Sequence, residues 1–190
     1  MLAPTHLQWW AVPLLLMLGA AIPLYRQKQN LPSIWLPQVK RGRILILFFS
    51  TCSMALLFAI LGAHLLLRHR DSGIPLTGDD RWLLWILHQF LYIGVAEEFF
   101  FRGYIQNNIA FVLHKTSCSN RSKVIFTVVL SSLAFMIAHL LLAPNLLSAL
   151  TFFPALVMGW LYSDTRCLLP SIIFHGWANI CLRLALTISA

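Results

Sequence analysis

Ala96-Glu97-Glu98-Phe99-Phe100-Phe101-Arg102-Gly103 sets two adjacent carboxylates and a guanidinium inside one of the longest apolar runs of the chain. The whole sequence has only six acidic residues, and two of them are here. A charged side chain at bilayer depth costs a few kcal/mol or more, so an ionisable group placed there is a functional hypothesis by default. Spaced i, i+4 on a helix, Glu98 and Arg102 share a face and can pair. Glu97 lies about 100° further round. One carboxylate is then held ionised by the arginine while the other is left for chemistry. Taken alone, the stretch reads equally well as a structural ion pair pinning two helices.

The setting of that stretch follows from composition. Of 190 residues, 59% are hydrophobic and 11% charged, and the mean hydropathy is +0.76. A soluble domain carries roughly 25% charge. A soluble core has too little interior to hide this much apolar surface, so the expected fold is all-α, a polytopic integral membrane bundle of about six transmembrane helices. The formal charge of +8 does not argue for nucleic acid, and none is expected as a partner. In a membrane protein the placement of charge along the chain is what informs. Cys52, Cys118, Cys167 and Cys181 are scattered, with no CxxC and no metal-ligand spacing. They read as small apolar residues and free thiols.

Outward from the central stretch, the apolar run reaches from about Trp82 to Leu113. As a helix it is roughly 45 Å long, more than the ~30 Å hydrocarbon core, with Glu97 near its midpoint. Upstream, residues 8–25 are expected to form a retained first span. The basic residues Arg26, Lys28, Lys40, Arg41 and Arg43 follow that run rather than precede it, unlike a cleaved signal peptide. The second span is Ile44 to about Leu67, with His64 read as interfacial. Downstream lie span four (Val124–Leu142), span five (Leu146–Tyr162, with a kink expected at Pro154) and span six (Cys167 to about Ile188). The loops after spans one, three and five carry most of the Lys and Arg, which puts both termini outside and those loops in the cytoplasm. No internal repeat is visible. One membrane domain over residues 1–190 is the simplest organisation.

Three spans carry polar residues that lipid cannot satisfy. Span three has Glu97, Glu98 and Arg102, with Gln106 a further turn along. Span four has His139, with Phe135 at i−4 and Ser131 and Ser132 about two turns before it. Span six has His175 and Asn179 at i, i+4. Polar groups in hydrocarbon need partners, so these faces should converge on one another or on a wet cavity. A glutamate and a histidine together can act as general base on a water. A histidine with an asparagine offers two donors to an oxyanion. The set therefore suits hydrolysis of an acyl bond by an activated water. A zinc site built from Glu, His and His is the competing chemistry, but HExxH is absent and the candidate ligands come from three separate helices.

Glu97-Glu98-x-x-x-Arg102, Phe135-x-x-x-His139 and His175-x-x-x-Asn179 together resemble the three motifs of the CPBP family. This is the intramembrane glutamic endopeptidase group that includes the type II CAAX prenyl endopeptidases and the bacterial Abi-like proteins. The resemblance covers about residues 82–182, all three motifs falling in order within apolar spans. It implies intramembrane proteolysis by a glutamate-activated water. Glu97 would be the general base, assisted by His139. His175 and Asn179 would form the oxyanion hole, and Glu98 and Arg102 would be supporting, with a part in catalysis left open to Glu98. No metal or other cofactor is required by the sequence.

The chain is short for that family, whose members often have about eight spans. Motif depths also differ: Glu97 is near mid-span, His139 is close to the outer end of span four, and His175 is about 12 Å into span six from the cytoplasmic side by helical rise. The expected partners are the bilayer and a membrane-anchored protein or peptide substrate, and the expected location is a prokaryotic inner membrane. Two readings of other classes stand beside the protease. One is a non-catalytic scaffold or immunity protein that binds a partner through the same polar cavity. The other is an ion-coupled transporter using the buried carboxylates.

Overall fold

The computed structural model describes residues 6–26, the single positions 54, 56 and 60, and residues 82–188. Five helical rods account for nearly all of them, and there is no strand among the described residues. They are α1 (His6–Arg26), α2 (Trp82–His114), α3 (Asn120–Leu142), α4 (Leu146–Thr165) and α5 (Leu168–Ile188).

Three of the rods, α2, α3 and α4, are long and apolar enough to cross a membrane. In α1 and α5 the shorter apolar stretches Ala11–Pro23 and Leu168–Leu184 stand where spans one and six were expected. The second expected span, 44–67, lies apart from three positions outside the described residues, as does His64. Among the described residues, five of the six expected spans thus have a counterpart, three as full-length apolar helices and two as shorter ones. Large apolar side chains point away from the protein on every rod, among them Leu15, Leu83, Leu91, Phe111, Leu141 and Leu169. In water such a surface would be a liability, whereas against acyl chains it costs nothing.

The helix ends follow local chemistry. α3 begins at Asn120, four residues before the apolar run, because the Ser119 hydroxyl accepts the Ser122 amide at 3.2 Å. This N-cap satisfies a donor the helix leaves open. α3 stops at Ala143, which is extended (φ −147°, ψ 96°) ahead of Pro144, whose ring disfavours a helical predecessor. Asn145 then caps α4 by accepting the Ser148 amide at 2.9 Å. The irregularity expected at Pro154 falls at Thr151, where the helix is interrupted by a turn (φ −60°, ψ −17°). A proline ring collides with the carbonyl four residues earlier, here Leu150, so the distortion sits upstream of the ring. α4 ends at Arg166, the one non-glycine residue with positive φ among those described (φ 53°, ψ 29°), whose amide donates to the Tyr162 carbonyl at 2.9 Å.

α2 departs from a plain α-helix. It widens to π-helical turns over Gln89–Gly94 and Phe99–Gln106, leaving Val95–Glu98 as a short α-helical segment between them. Such turns insert a residue into the i→i−4 ladder and are frequent at functional sites. The second widened turn packs on α1, where Ala20 meets a cluster of Phe99, Tyr162, Leu168 and Ile172. The main apolar cluster, Phe101, Phe135, Ala155, Val157, Met158, Leu161 and Phe174, joins α2, α3, α4 and α5. α3 packs on α4, and α4 on α5. The polar residues of the sequence motifs sit directly against this cluster.

Candidate active site

Arg102 and Glu98 are the deepest members of the site, each 0% exposed. Arg102 Nε lies 3.1 Å from Glu98 Oε2, one helical turn apart as the spacing anticipates. The guanidinium also donates through Nη2 to the Ala155 carbonyl on α4 at 3.0 Å. Its carbon stands 4.9 Å from the centre of the Phe135 ring. A lone buried charge is costly, so both ions depend on these contacts. The pair is also a tether: it holds α2 to α4 and rests on α3.

Glu98 uses its other oxygen on α5. His175 Nδ1 lies 3.0 Å from Glu98 Oε1. An ionised carboxylate only accepts, so Nδ1 carries the hydrogen and donates it. The ring is thereby oriented with Nε2 towards Glu97 Oε2, 3.8 Å away.

His139 is set in the same manner from α3. Its Nδ1 is 3.0 Å from the Phe135 carbonyl, an acceptor, so this nitrogen too is the donor. The imidazole stacks on the Phe135 ring, with centroids 4.3 Å apart and planes at 29°. Its Nε2 then also points at Glu97 Oε2, again at 3.8 Å. Glu97 is therefore flanked by two histidine nitrogens at equal distance. The gaps are too long for hydrogen bonds, and Oε2 is buried with no hydrogen-bond partner among the described residues. Polar atoms facing each other across more than 3.5 Å are joined, if at all, through a water rather than directly. Glu97 and His139 are 14% and 29% exposed, so this corner of the site is the one open to a ligand.

Asn179, one turn beyond His175, does not touch either glutamate. Its Nδ2 donates to Gln89 Oε1 at 2.8 Å. Gln106, on the face of Arg102, donates to the Gly159 carbonyl and the Ser163 hydroxyl, both at 2.9 Å, and accepts from Ser131 at 3.1 Å. This second buried network locks α2, α3 and α4 together and leaves no polar group of Gln106 facing the site.

The six residues singled out in the sequence thus fall into two groups. Glu97, Glu98, Arg102, His139 and His175 form one connected cluster. Asn179 lies on the same face of α5 as His175 but is held by another partner. The separate depths counted along each span do not keep them apart, because helices in a bundle need share neither a starting plane nor an axis direction. The sequence reading missed Gln89, Ser163 and the Ala155 carbonyl. Gln89 carried a usable signal, being an amide in an apolar run. A backbone carbonyl carries none. Among the described residues no cluster of three or more His, Cys, Asp or Glu has a metal-holding arrangement.

A family model described as type II CAAX prenyl endopeptidase Rce1-like matches residues 79–181, more than half of the chain and a segment of it that holds all three polar motifs. Comparisons with curated proteins and with solved structures find no match. The match implies protease activity in general terms. With the apolar helices, it fits an integral membrane protein whose substrate is a membrane-associated peptide. The chain belongs to the Rce1-like family of type II CAAX prenyl endopeptidases.

Proposed function

We propose that the protein is an intramembrane endopeptidase that hydrolyses a peptide bond of a membrane-associated protein or peptide with a glutamate-activated water. The observation that carries this reading is the equal 3.8 Å spacing of Glu97 Oε2 from His139 Nε2 and His175 Nε2. With its Nδ1 hydrogen given to the Phe135 carbonyl, neutral His139 presents a lone pair at Nε2. Glu97 presents another. A water between two acceptors donates one hydrogen to each and turns its own lone pair outward.

The chemistry follows in balanced steps. The water oxygen bonds the carbonyl carbon as Glu97 takes the proton, and the negative charge passes to the carbonyl oxygen. His175 in its imidazolium form donates from Nε2 to that oxygen, and Asn179 contributes its second amide hydrogen. Collapse of the intermediate breaks the C–N bond, and Glu97 returns the proton to the leaving nitrogen. Glu98 is the less suited base, because its Oε1 accepts from His175 at 3.0 Å and its Oε2 faces the Arg102 guanidinium at 3.1 Å. Its part is to orient His175. The competing metal reading would have to use Glu97, His139 and His175 as its ligands, since Glu98 is committed elsewhere.

In this proposal the chain is one membrane domain over residues 1–190, with residues 82–182 as the catalytic core and six crossings in a prokaryotic inner membrane. The test compares membranes holding the wild-type protein with membranes holding Glu97→Gln at equal abundance, with and without a chelator. New peptide termini are read by mass spectrometry. Termini that need Glu97 and survive the chelator support the reading. Loss of the termini in chelator transfers the chemistry to a metal. Identical termini from both proteins refute a catalytic Glu97 and favour a binding role for the polar cavity.

A further inference from the structure

We propose that Gln89 is a positioning residue, aligning Asn179 for catalysis from outside the three sequence motifs. This inference rests on the reading of Asn179 as an oxyanion donor. A primary amide rotates about a soft terminal torsion, and its two ends are nearly equal in size, so a donor amide needs something to decide which end faces the substrate. Gln89 Oε1 does this at 2.8 Å from Asn179 Nδ2. The oxygen is an acceptor only, so the NH2 end must face it. One hydrogen is used on Gln89, and the second leaves the nitrogen at about 120°, available to a substrate oxygen.

Three further features make the contact a fixed one. Gln89 is buried, at 6% exposure, within the bundle. It opens the first widened turn of α2, Gln89–Gly94. That turn lies tight against α5. A Cβ at Gly176 would overlap Cδ1, Cε1 and Cγ of Phe90, and one at Gly94 would touch Ile172 at 3.6 Å. Ile172, Gly176 and Asn179 recur at helical spacing, so the same stripe of α5 that packs on the turn delivers Asn179 to Gln89. The second π-helical turn of α2 carries Arg102, which with Glu98 sets His175. Each candidate oxyanion donor on α5 is therefore aimed by a residue of α2.

The test uses the full-length protein in membranes and reads the initial rate at which peptide termini dependent on wild-type protein appear. Gln89→Met keeps length and volume but removes the acceptor. Gln89→Glu keeps an acceptor oxygen at the same reach. Losing one oxyanion donor outright costs about 10²–10³ in rate. Misaligning it should cost Gln89→Met about ten- to a hundredfold, with Gln89→Glu within about fivefold of wild type.

A wild-type rate in Gln89→Met overturns the proposal. So does an equal loss in both variants, which would mark Gln89 as packing alone. Should Gln89→Met fail to accumulate, Gln89→Asn decides: it retains the amide but withdraws it by one methylene. A rate loss of about fivefold or more at an unchanged unfolding midpoint supports positioning, and an unchanged rate refutes it. If Glu97→Gln leaves the termini intact, the proteolytic reading fails first and the positioning role falls with it. A dead Glu97→Gln beside a fully active Gln89→Met sinks the positioning role alone.

Discussion

Arg102→Met should be among the most damaging single substitutions in the protein, and pairing it with Glu98→Leu should repair much of the damage. Methionine keeps the length of the arginine stem but removes the guanidinium. Glu98, 0% exposed, then loses the charge 3.1 Å away and keeps only His175. Removing one partner of a buried pair costs about 3–5 kcal/mol. The Ala155 carbonyl also loses its donor, worth about 1–3 kcal/mol by itself. The two losses overlap, and protonation of Glu98 caps the electrostatic part, so the expected total is about 3–5 kcal/mol. In Glu98→Leu/Arg102→Met no charge is left behind, and stability should return to within about 2 kcal/mol of wild type. That double variant should nevertheless be inactive, because His175 no longer has an acceptor for Nδ1. The assay is reversible unfolding in mixed detergent micelles, followed by the fluorescence of the seven tryptophans. An Arg102→Met protein within about 1 kcal/mol of wild type, or a double variant less stable than the single one, refutes the view of this pair as mutually dependent buried ions.

Other outcomes follow from the same geometry. His139→Ala should slow cleavage by about 10² or more, as expected for loss of an acid–base partner, while Cys118→Ala, at an exposed thiol, should leave it unchanged. Gly176→Ala should destabilise by about 1–3 kcal/mol, because the new methyl overlaps the Phe90 ring. Shrinking that ring with Phe90→Leu should recover part of the loss, as an unfolding titration would show. Arg166→Gly should raise stability by up to about 1 kcal/mol, since Arg166 sits in the left-handed region at φ 53° where a Cβ is penalised. A thermal unfolding midpoint no higher than that of wild type would count against that strain.

Parts of the site were legible because lipid removes the usual ambiguity. In a soluble protein Glu98 and Arg102 at i, i+4 are most simply a solvated pair. Inside an apolar run the same spacing predicts a buried contact, and the 3.1 Å separation is that contact. Phe135 and His139 obey the same rule, and their rings stack. His175 and Asn179 were expected to act together because they share a face. They do share it, but His175 turns to Glu98 and Asn179 to Gln89. The spacing could not foresee this, since a face is about a third of a helix wide and two neighbouring segments of α2 divide it.

Span limits show the same division. Asn120 and Arg166 end helices in places that hydropathy does not mark, because a hydroxyl cap and a left-handed residue decide them. The displacement of the break from Pro154 to Thr151 has a backbone cause, as the ring acts on a carbonyl a turn away.

Composition by itself determined that this is a helical membrane protein, because 59% hydrophobic residues cannot be hidden in a soluble core, and backbone polar groups in lipid must be satisfied within the chain. Motif spacing determined which helix faces carry the polar residues that meet inside the bundle. The tertiary structure alone decided which glutamate is occupied and which is open. Glu97 and Glu98 are neighbours of the same type, and nothing local separates them. What separates them is that α4 supplies a carbonyl to anchor Arg102 and α5 supplies His175, so Glu98 is enclosed by partners while Glu97 faces two histidine nitrogens across a gap.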